Sequence, residues 1–343
     1  MSLERFGWNS HFESEFARVG ETRMEPARVA LADRERFFVW TQSGEAEATV
    51  SGRLRHRFED WPVVGDWVAL EQGCRIAHIL PRRTWFSRKQ PGAAIREQVI
   101  ATNIDVLFVV CGLDGDFNPR RIERYLLLAW ESGAKPAVVL NKADVCMDVA
   151  EAADRVAEIA SGAPILTVSA REGWGLPALE AHLQPGLTAA FAGSSGAGKS
   201  TLVNRLLGRE QQIVQEVRAS DSRGRHTTVR RELFLAPNGW LLIDSPGLRE
   251  LQLWGNTESA DAAFSDIATL AAGCRFRDCR HQGEPGCAVA AAGIDQARLA
   301  NYAKLQRELA HLDRKLDQRA VLEQKRRIKR IHRAMRRHYD PRT

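Results

Sequence analysis

From about residue 26 to 90, apolar positions fall in short runs separated by glycines and polar turns. The runs are RVALA (28–32), FFVWT (37–41), EATVSG (47–52), DWVALE (66–71) and RIAHIL (75–80), with Gly44, Gly52, Gly65 and Gly73 between them. So many short strands in so little chain predict a small β-barrel. By pattern alone an OB-fold and an SH3-like barrel fit equally well. Residues 1–25 are polar and irregular, and read as a flexible N-terminal tail.

Near residue 103 the pattern changes. IDVLFVVCGL (104–113) is a continuous apolar run rich in Val and Ile, the signature of a parallel strand buried on both faces. Helical periodicity follows over 119–133, then strand PAVVLNKAD (136–144), a helix over 149–160, strand PILTVSA (164–170), a helix over 176–183 and strand TAAFAG (188–193). A helix over 199–207, a polar segment (209–230) and strands RELFLA (231–236) and WLLID (240–244) complete the region. Strands alternating with helices predict a doubly wound α/β domain over 103–258. Beyond 258 the pattern is mostly helical and ends in a long, increasingly basic helix (294–338). The predicted architecture is therefore multidomain: barrel (26–102), α/β domain (103–258) and a helical C-terminal domain (259–343).

Charge refines this picture. The 343 residues carry a formal net charge of +6. Residues 301–343 hold 14 Lys/Arg and 5 Asp/Glu, a local +9, so the first 300 residues carry −3. Basic character concentrated in one tail points to a polyanion partner such as RNA. No run approaches the roughly 18–20 apolar residues of a membrane helix. The opening MSLERFGWNS lacks the apolar core of a secretory signal, so a cytoplasmic location is expected.

Four elements carry chemistry. Gly193-Ser194-Ser195-Gly196-Ala197-Gly198-Lys199-Ser200-Thr201 fits the P-loop pattern GxxxxGK[ST]. Its glycines let backbone N–H groups close around phosphate oxygens. Lys199 supplies positive charge to the phosphates, Ser200 a hydroxyl for Mg²⁺, and the following helix its N-terminal dipole. Asn141-Lys142-Ala143-Asp144 follows a predicted strand. An aspartate there can accept from guanine N1–H and the 2-amino group, donors that adenine lacks. Lys142 can cover the base and Asn141 can brace neighbouring loops, while Ser169-Ala170 closes the next strand against guanine O6. Asp244-Ser-Pro-Gly247 reads as the DxxG element, with Asp244 directed to Mg²⁺ and the Gly247 N–H to the γ-phosphate.

The residue after that glycine is Leu248, which cannot orient water as a glutamine would. In Gly224-Arg-His226-Thr227-Thr228, a threonine is the candidate for Mg²⁺ and γ-phosphate contact and His226 for positioning water. The motif order is base reader, Ser-Ala, P-loop, switch, DxxG, a circular permutation of the ordinary GTPase order. The fourth element, Cys274-x4-Cys279-x-His281-x5-Cys287, offers three thiolates and an imidazole, the donor set of a closed, structural tetrahedral Zn²⁺ site. Cys111 and Cys146 read as packing residues.

The permuted order, GSSGAGKST, GRHTT, DSPG and CRFRDCRHQGEPGC together resemble the RsgA/YjeQ family of ribosome-dependent bacterial GTPases. The resemblance implies an N-terminal OB-fold that binds RNA, a central GTPase and a zinc domain. It also implies hydrolysis of GTP to GDP stimulated by the 30S subunit, contact with 16S rRNA, late 30S maturation and release of an assembly factor, by a monomer. It places GTP on 141–144 and 193–201 and zinc on Cys274, Cys279, His281 and Cys287.

Overall fold

The computed structural model describes residues 2–20, 23–33, 35–55, 61–89, 97–160, 162–208, 232–244, 260–261 and 264–315. The chain divides into two compact units, residues 1–88 with 98–252 and residues 89–97 with 253–343.

In the first unit, strands β1 (Glu25–Asp33), β2 (Arg36–Trp40), β3 (Glu45–Val50), β4 (Trp67–Glu71) and β5 (Arg75–Ile79) pair in the order β1-β2-β3-β5-β4, and β4 returns to β1. The sheet is thus a closed five-stranded barrel. Thr49 and Val50 of β3 pair in parallel with Arg75 and Ile76 of β5. That parallel seam, with the short helix α1 (Gly52–Arg55) between β3 and β4, is an OB-fold arrangement, which an all-antiparallel SH3-like meander lacks. Ala27, Val29, Phe37, Val39, Val68 and Ile76 alternate inward to fill it.

The expectation of an irregular N-terminal tail is corrected. Ser10–Val19 form a helix, here called αN, capped by Asn9, whose side chain accepts from the His11 and Phe12 N–H groups. Phe6 and Phe12 are 4 % and 2 % exposed and cluster with Trp67 and Leu80. The segment is polar by composition, yet Phe12, Phe16 and Val19 recur at helical spacing, and the barrel's outer surface supplies the apolar partner.

After the barrel comes a ribbon of β6 (Trp85–Lys89) and β7 (Glu97–Thr102), where the sequence pattern had marked no strands. The α/β part then adds strands β8 (Val106–Gly112), β9 (Lys135–Asn141), β10 (Ile165–Thr167), β11 (Thr188–Ala192), β12 (Glu232–Leu235) and β13 (Leu241–Asp244). Their order is β10-β9-β8-β11-β13-β12, parallel except for antiparallel β12. Helices α2 (Pro119–Ser132), α3 (Val149–Ala157), α4 (Leu176–Glu180) and α5 (Lys199–Leu206) accompany them. The first has Asn118 as N-cap, Pro119 in its first turn and Gly133 as a left-handed C-cap, signals that bracket the predicted helix. Every residue of β8 is buried, as its unbroken apolar run requires.

The barrel and the α/β sheet are continuous, since Leu31 of β1 pairs with Glu232 of β12. Their join is held by Arg28, 1 % exposed. Its guanidinium donates to Phe6 O, to Asn103 O at 3.2 Å and to Thr188 Oγ1 at 2.8 Å, and lies over the Trp67 ring. One side chain therefore ties the N-terminal segment, the barrel, the connecting loop and the P-loop strand. Burial pulls its pKa down to about 10, partly offset by Asp105 and Asp66, and it stays charged at neutral pH. Asp66, wholly buried, is fully engaged: it accepts from Arg82 at 2.8 Å through each oxygen, from Thr102 Oγ1 at 2.8 Å and from the Val63 N–H at 2.8 Å.

The second unit holds α6 (Ser265–Ala272), a Cys/His loop, α7 (Ala288–Ala291) and a helix over 296–315, α8; Phe264, Tyr302, Leu305 and Leu309 are buried in it, with the Phe264 and Tyr302 rings 5.3 Å apart. Asp261 accepts from Tyr302 Oη at 2.7 Å and Gln306 Nε2 at 2.8 Å.

Arg28→Ala strands three acceptors at a buried site. Each uncompensated acceptor costs about 1–3 kcal/mol, so the expected loss is about 3 kcal/mol or more, measured by denaturant unfolding.

Candidate functional site

Strands β9, β8, β11 and β13 are parallel, so the loops after β9, β11 and β13 emerge at one sheet edge, where such sheets bind ligands. These are the loops bearing the base-reader motif, the P-loop and Asp244.

Asn141 ends β9 and is 2 % exposed. Its Nδ2 donates to Ala197 O in the P-loop at 2.8 Å, and its Oδ1 accepts from the Ala170 N–H at 3.0 Å. One carboxamide thus joins the phosphate loop to the Ser169-Ala170 loop, the bracing role expected of it. Lys142 has φ 63, a left-handed turn that directs the chain from the strand end into Ala143 and Asp144. The Ala143 N–H donates to Val168 O at 3.2 Å. Ser169 Oγ donates to Asp144 Oδ1 at 2.7 Å and accepts from the Glu172 N–H. Arg205 of α5 donates to Ala170 O at 3.2 Å and Arg171 O at 2.7 Å, anchoring the same loop from the helix side.

The P-loop conformation requires its glycines. Gly193 has φ 141, and a Cβ there would lie 2.1 Å from Val110 O of the neighbouring strand. At Gly198, φ 91, a Cβ would lie 2.2 Å from Asn141 Nδ2 and displace the bracing carboxamide. Lys199 Nζ donates to Gly193 O at 2.8 Å and to Ser194 O, so its ammonium sits at the mouth of the loop. Ser195, Gly196, Ser200 and Thr201 are exposed, the first two on the loop and the last two in the first turn of α5. Asp244 closes β13 beside the P-loop strand and is exposed at the same edge. A hydroxyl on the P-loop helix and a carboxylate on the next strand are hard oxygen donors that suit Mg²⁺. His226, Thr227, Thr228, Gly247 and Leu248 lie outside the described residues.

Sequence reading passed over the turn after β8. Asp114 pairs with Lys142 Nζ, which holds its carboxyl below the usual carboxylate range. Asp116 accepts from Ser194 Oγ and, at 2.6 Å, from Arg121 Nη1. Burial opposes ionisation of Asp116, but these two bonds outweigh it and lower its pKa. The usable signal was position: both aspartates follow the C-terminal end of the strand adjoining the P-loop strand.

In the second unit, the four ligand atoms of Cys274, Cys279, His281 and Cys287 lie within 4.8 Å of one another. Cys274 Sγ and Cys287 Sγ are 3.9 Å apart, and His281 Nδ1 is 3.6 and 3.5 Å from them. A tetrahedral zinc with bonds of about 2.3 Å to sulfur and about 2.0–2.1 Å to nitrogen needs edges of about 3.8 and 3.6 Å. Cys274, His281 and Cys287 therefore stand at the spacing the ion needs, and Cys279, within 4.8 Å of them, completes a four-donor set of the right chemistry. Outer contacts also fix them: the Ala290 N–H donates to Cys287 Sγ at 3.3 Å, and Glu284 accepts from the Arg280 and Gln282 N–H groups.

The family described as RsgA GTPase matches residues 79–254. The chain belongs to the RsgA GTPase family. Relatives of the family match nearly end to end. The small ribosomal subunit biogenesis GTPase RsgA of Opitutus terrae is 47 % identical, covering 98 % of this chain and 97 % of its own. That of Syntrophotalea carbinolica is 44 % identical over 97 % and 96 %, and that of Xylella fastidiosa 9a5c 53 % identical over 84 % and 86 %. A second family, described as 50S ribosome-binding GTPase, matches residues 188–325. Among solved structures, YjeQ from Thermotoga maritima aligns over 84 % of this chain and 99 % of its own with TM-score 0.63 and 24 % identity. YloQ, described as a circularly permuted GTPase, gives TM-score 0.59 at 24 % identity, and both support the fold. The chain is accordingly a GTP hydrolase with a circularly permuted P-loop domain.

Asn141→Ala removes both ends of the loop brace and leaves Ala197 O and the Ala170 N–H without it. Guanine-nucleotide affinity is expected to fall about tenfold to a hundredfold, read by titration with a fluorescent GDP analogue.

Proposed function

We propose that this chain hydrolyses GTP on the small ribosomal subunit during its late maturation, at a rate the subunit stimulates, and that hydrolysis is coupled to release of an assembly factor. The observation that carries this reading is near end-to-end similarity to proteins named small ribosomal subunit biogenesis GTPases. The order of domains supports it: an OB barrel, a frequent single-strand RNA platform, is continuous with a GTPase sheet and followed by a +9 tail suited to phosphate backbones. The working assignment of residues is a barrel over 26–102 that contacts 16S rRNA, a GTPase over 103–258 and a zinc domain with basic tail over 259–343. Among the described residues no helix is long and apolar enough to cross a membrane. A cytoplasmic monomer is part of the same proposal.

At the nucleotide edge, Asp144, aimed by Ser169, accepts from the guanine edge, with Lys142, Ala143 and Ala170 around the base. The backbone of Gly193–Thr201 wraps the phosphates and Lys199 adds charge. Mg²⁺, held through Ser200 and Asp244, would neutralise phosphate charge. Thr227 or Thr228 would contact the γ-phosphate side, Gly247 would offer its N–H there, and His226 would position water. Because Leu248 supplies no hydrogen bond to water, intrinsic hydrolysis is slow and the ribosomal particle completes the site. Zinc serves a structural role through Cys274, Cys279, His281 and Cys287, without an open coordination position.

Elemental analysis of the purified chain should find one zinc per molecule. Cys279→Ser should lose it and destabilise the C-terminal unit, because metal binding contributes directly to the folding of so small a site. In a turnover assay with separated subunits at low salt, 30S particles should raise the rate about tenfold or more, with stimulation falling as salt rises. His226→Ala should lower turnover while leaving GTP affinity nearly unchanged. Stimulation by 50S and not 30S particles would move the chain to large-subunit assembly; none by either would leave an RNA-binding module with a nucleotide switch.

A further inference from the structure

We propose that Arg121 is a charge-balancing, positioning residue of the nucleotide site. Its guanidinium neutralises Asp116, the carboxylate that holds the P-loop hydroxyl of Ser194, and so allows an anionic phosphate chain to settle in that loop.

The geometry is a three-residue strut. Ser194 Oγ donates to one oxygen of Asp116, and Arg121 Nη1 donates to the other at 2.6 Å. The strut links the first residues of the P-loop to the turn after β8 and the first turn of α2. Arg121 is held from its own backbone, because Asn118 Oδ1 accepts its N–H at 3.2 Å as the helix N-cap. Tyr125, one turn further along α2, hydrogen-bonds the backbone of Gly193, so the same helix meets the loop at a second point.

Asp116 poses an electrostatic problem. A carboxylate that accepts a hydrogen bond from the Ser194 hydroxyl sits one side chain away from a loop suited to receiving phosphates. Its two hydrogen bonds keep it ionised at neutral pH. Lys199 works on the opposite account, placing its ammonium at the loop mouth. If Asp116 were uncompensated, it would cancel much of that attraction. Arg121 removes the conflict and keeps the hydroxyl latch.

The ion pair itself contributes little to stability. The side chains are 38 % and 26 % exposed, and solvent-touched pairs of this kind are weak. Its consequence lies in the neighbouring loop, where a nucleotide brings several negative charges close together. The repulsion from an unbalanced Asp116 scales with ligand charge, so GTP must suffer more than GDP. It must also shrink with ionic strength, since the site is open to solvent.

The test is equilibrium titration of the full chain with fluorescent GDP and a fluorescent non-hydrolysable GTP analogue, at low and high salt. Arg121→Ala is expected to weaken the GTP analogue about tenfold and GDP about threefold at low salt, with both losses shrinking at high salt. Arg121→Lys, which keeps the charge, should retain affinity to within about threefold. Decisively, the double variant Asp116→Asn/Arg121→Ala should recover to within about twofold of the parent, because Asn still accepts from Ser194 and no charge remains to balance. Thermal unfolding of each variant confirms that it is folded. A double variant as weak as Arg121→Ala would overturn the proposal. So would losses equal for both nucleotides and unchanged by salt, the pattern of a purely mechanical brace.

Discussion

Strand β8 is hydrogen-bonded in parallel to β9 on one side and β11 on the other, in registers that run Val106–Gly112 against Lys135–Asn141 and Val106–Val109 against Ala189–Ala192. Buried on both faces and sealed along both edges, it cannot slip without moving its whole side-chain set. That register brings the ends of β9 and β11 to one edge, and the short bonds of Asn141 to Ala197 and Ala170 depend on it. Permutation is tolerated for the same reason. The nucleotide edge is built by lateral strand pairing, and pairing is indifferent to where the chain begins.

A second dependence runs along β11. Its far end is Thr188, one of the acceptors of Arg28, while its near end becomes the P-loop. Barrel, connecting loop and N-terminal segment thus meet the same strand that carries the phosphate site. A fully buried guanidinium is costly to desolvate; acceptors meet both terminal nitrogens of Arg28, while its buried Nε has no hydrogen-bond partner among the described residues. The barrel is therefore not an appended module. Its β1 extends the GTPase sheet, and Asp66 with Arg82 and Thr102 locks its last turns onto the entry to β8.

The cysteine-rich loop follows a different logic. Its donors lie within fourteen residues of one another and meet through local turns, including a left-handed His281. Glu284 collects the N–H groups that such a tight loop would otherwise leave unpaired. Because the constraint is local, spacing alone was enough to see it.

The chain's local patterns marked the barrel and α/β strands, most of the helices, the Gly-rich loop and the Cys/His cluster, though not the β6–β7 ribbon or the N-terminal helix, since each of the former depends on residues close in sequence and on backbone rules that act over a few positions. The β8 run, the Asn118–Gly133 helix brackets and the Gly193–Ser200 loop all stand where periodicity and capping place them. What sequence could not decide depended on partners far along the chain. The barrel type needed the β3–β5 seam. The N-terminal segment became a helix because Trp67 and Leu80 cover Phe6 and Phe12. Arg28 looked like any strand arginine until Asn103 and Thr188 closed on it. Asp116 and Arg121 gained a role only when the sheet set the turn after β8 against the P-loop. In each case the deciding energy is burial or hydrogen bonding between segments dozens of residues apart, which only the folded chain brings together.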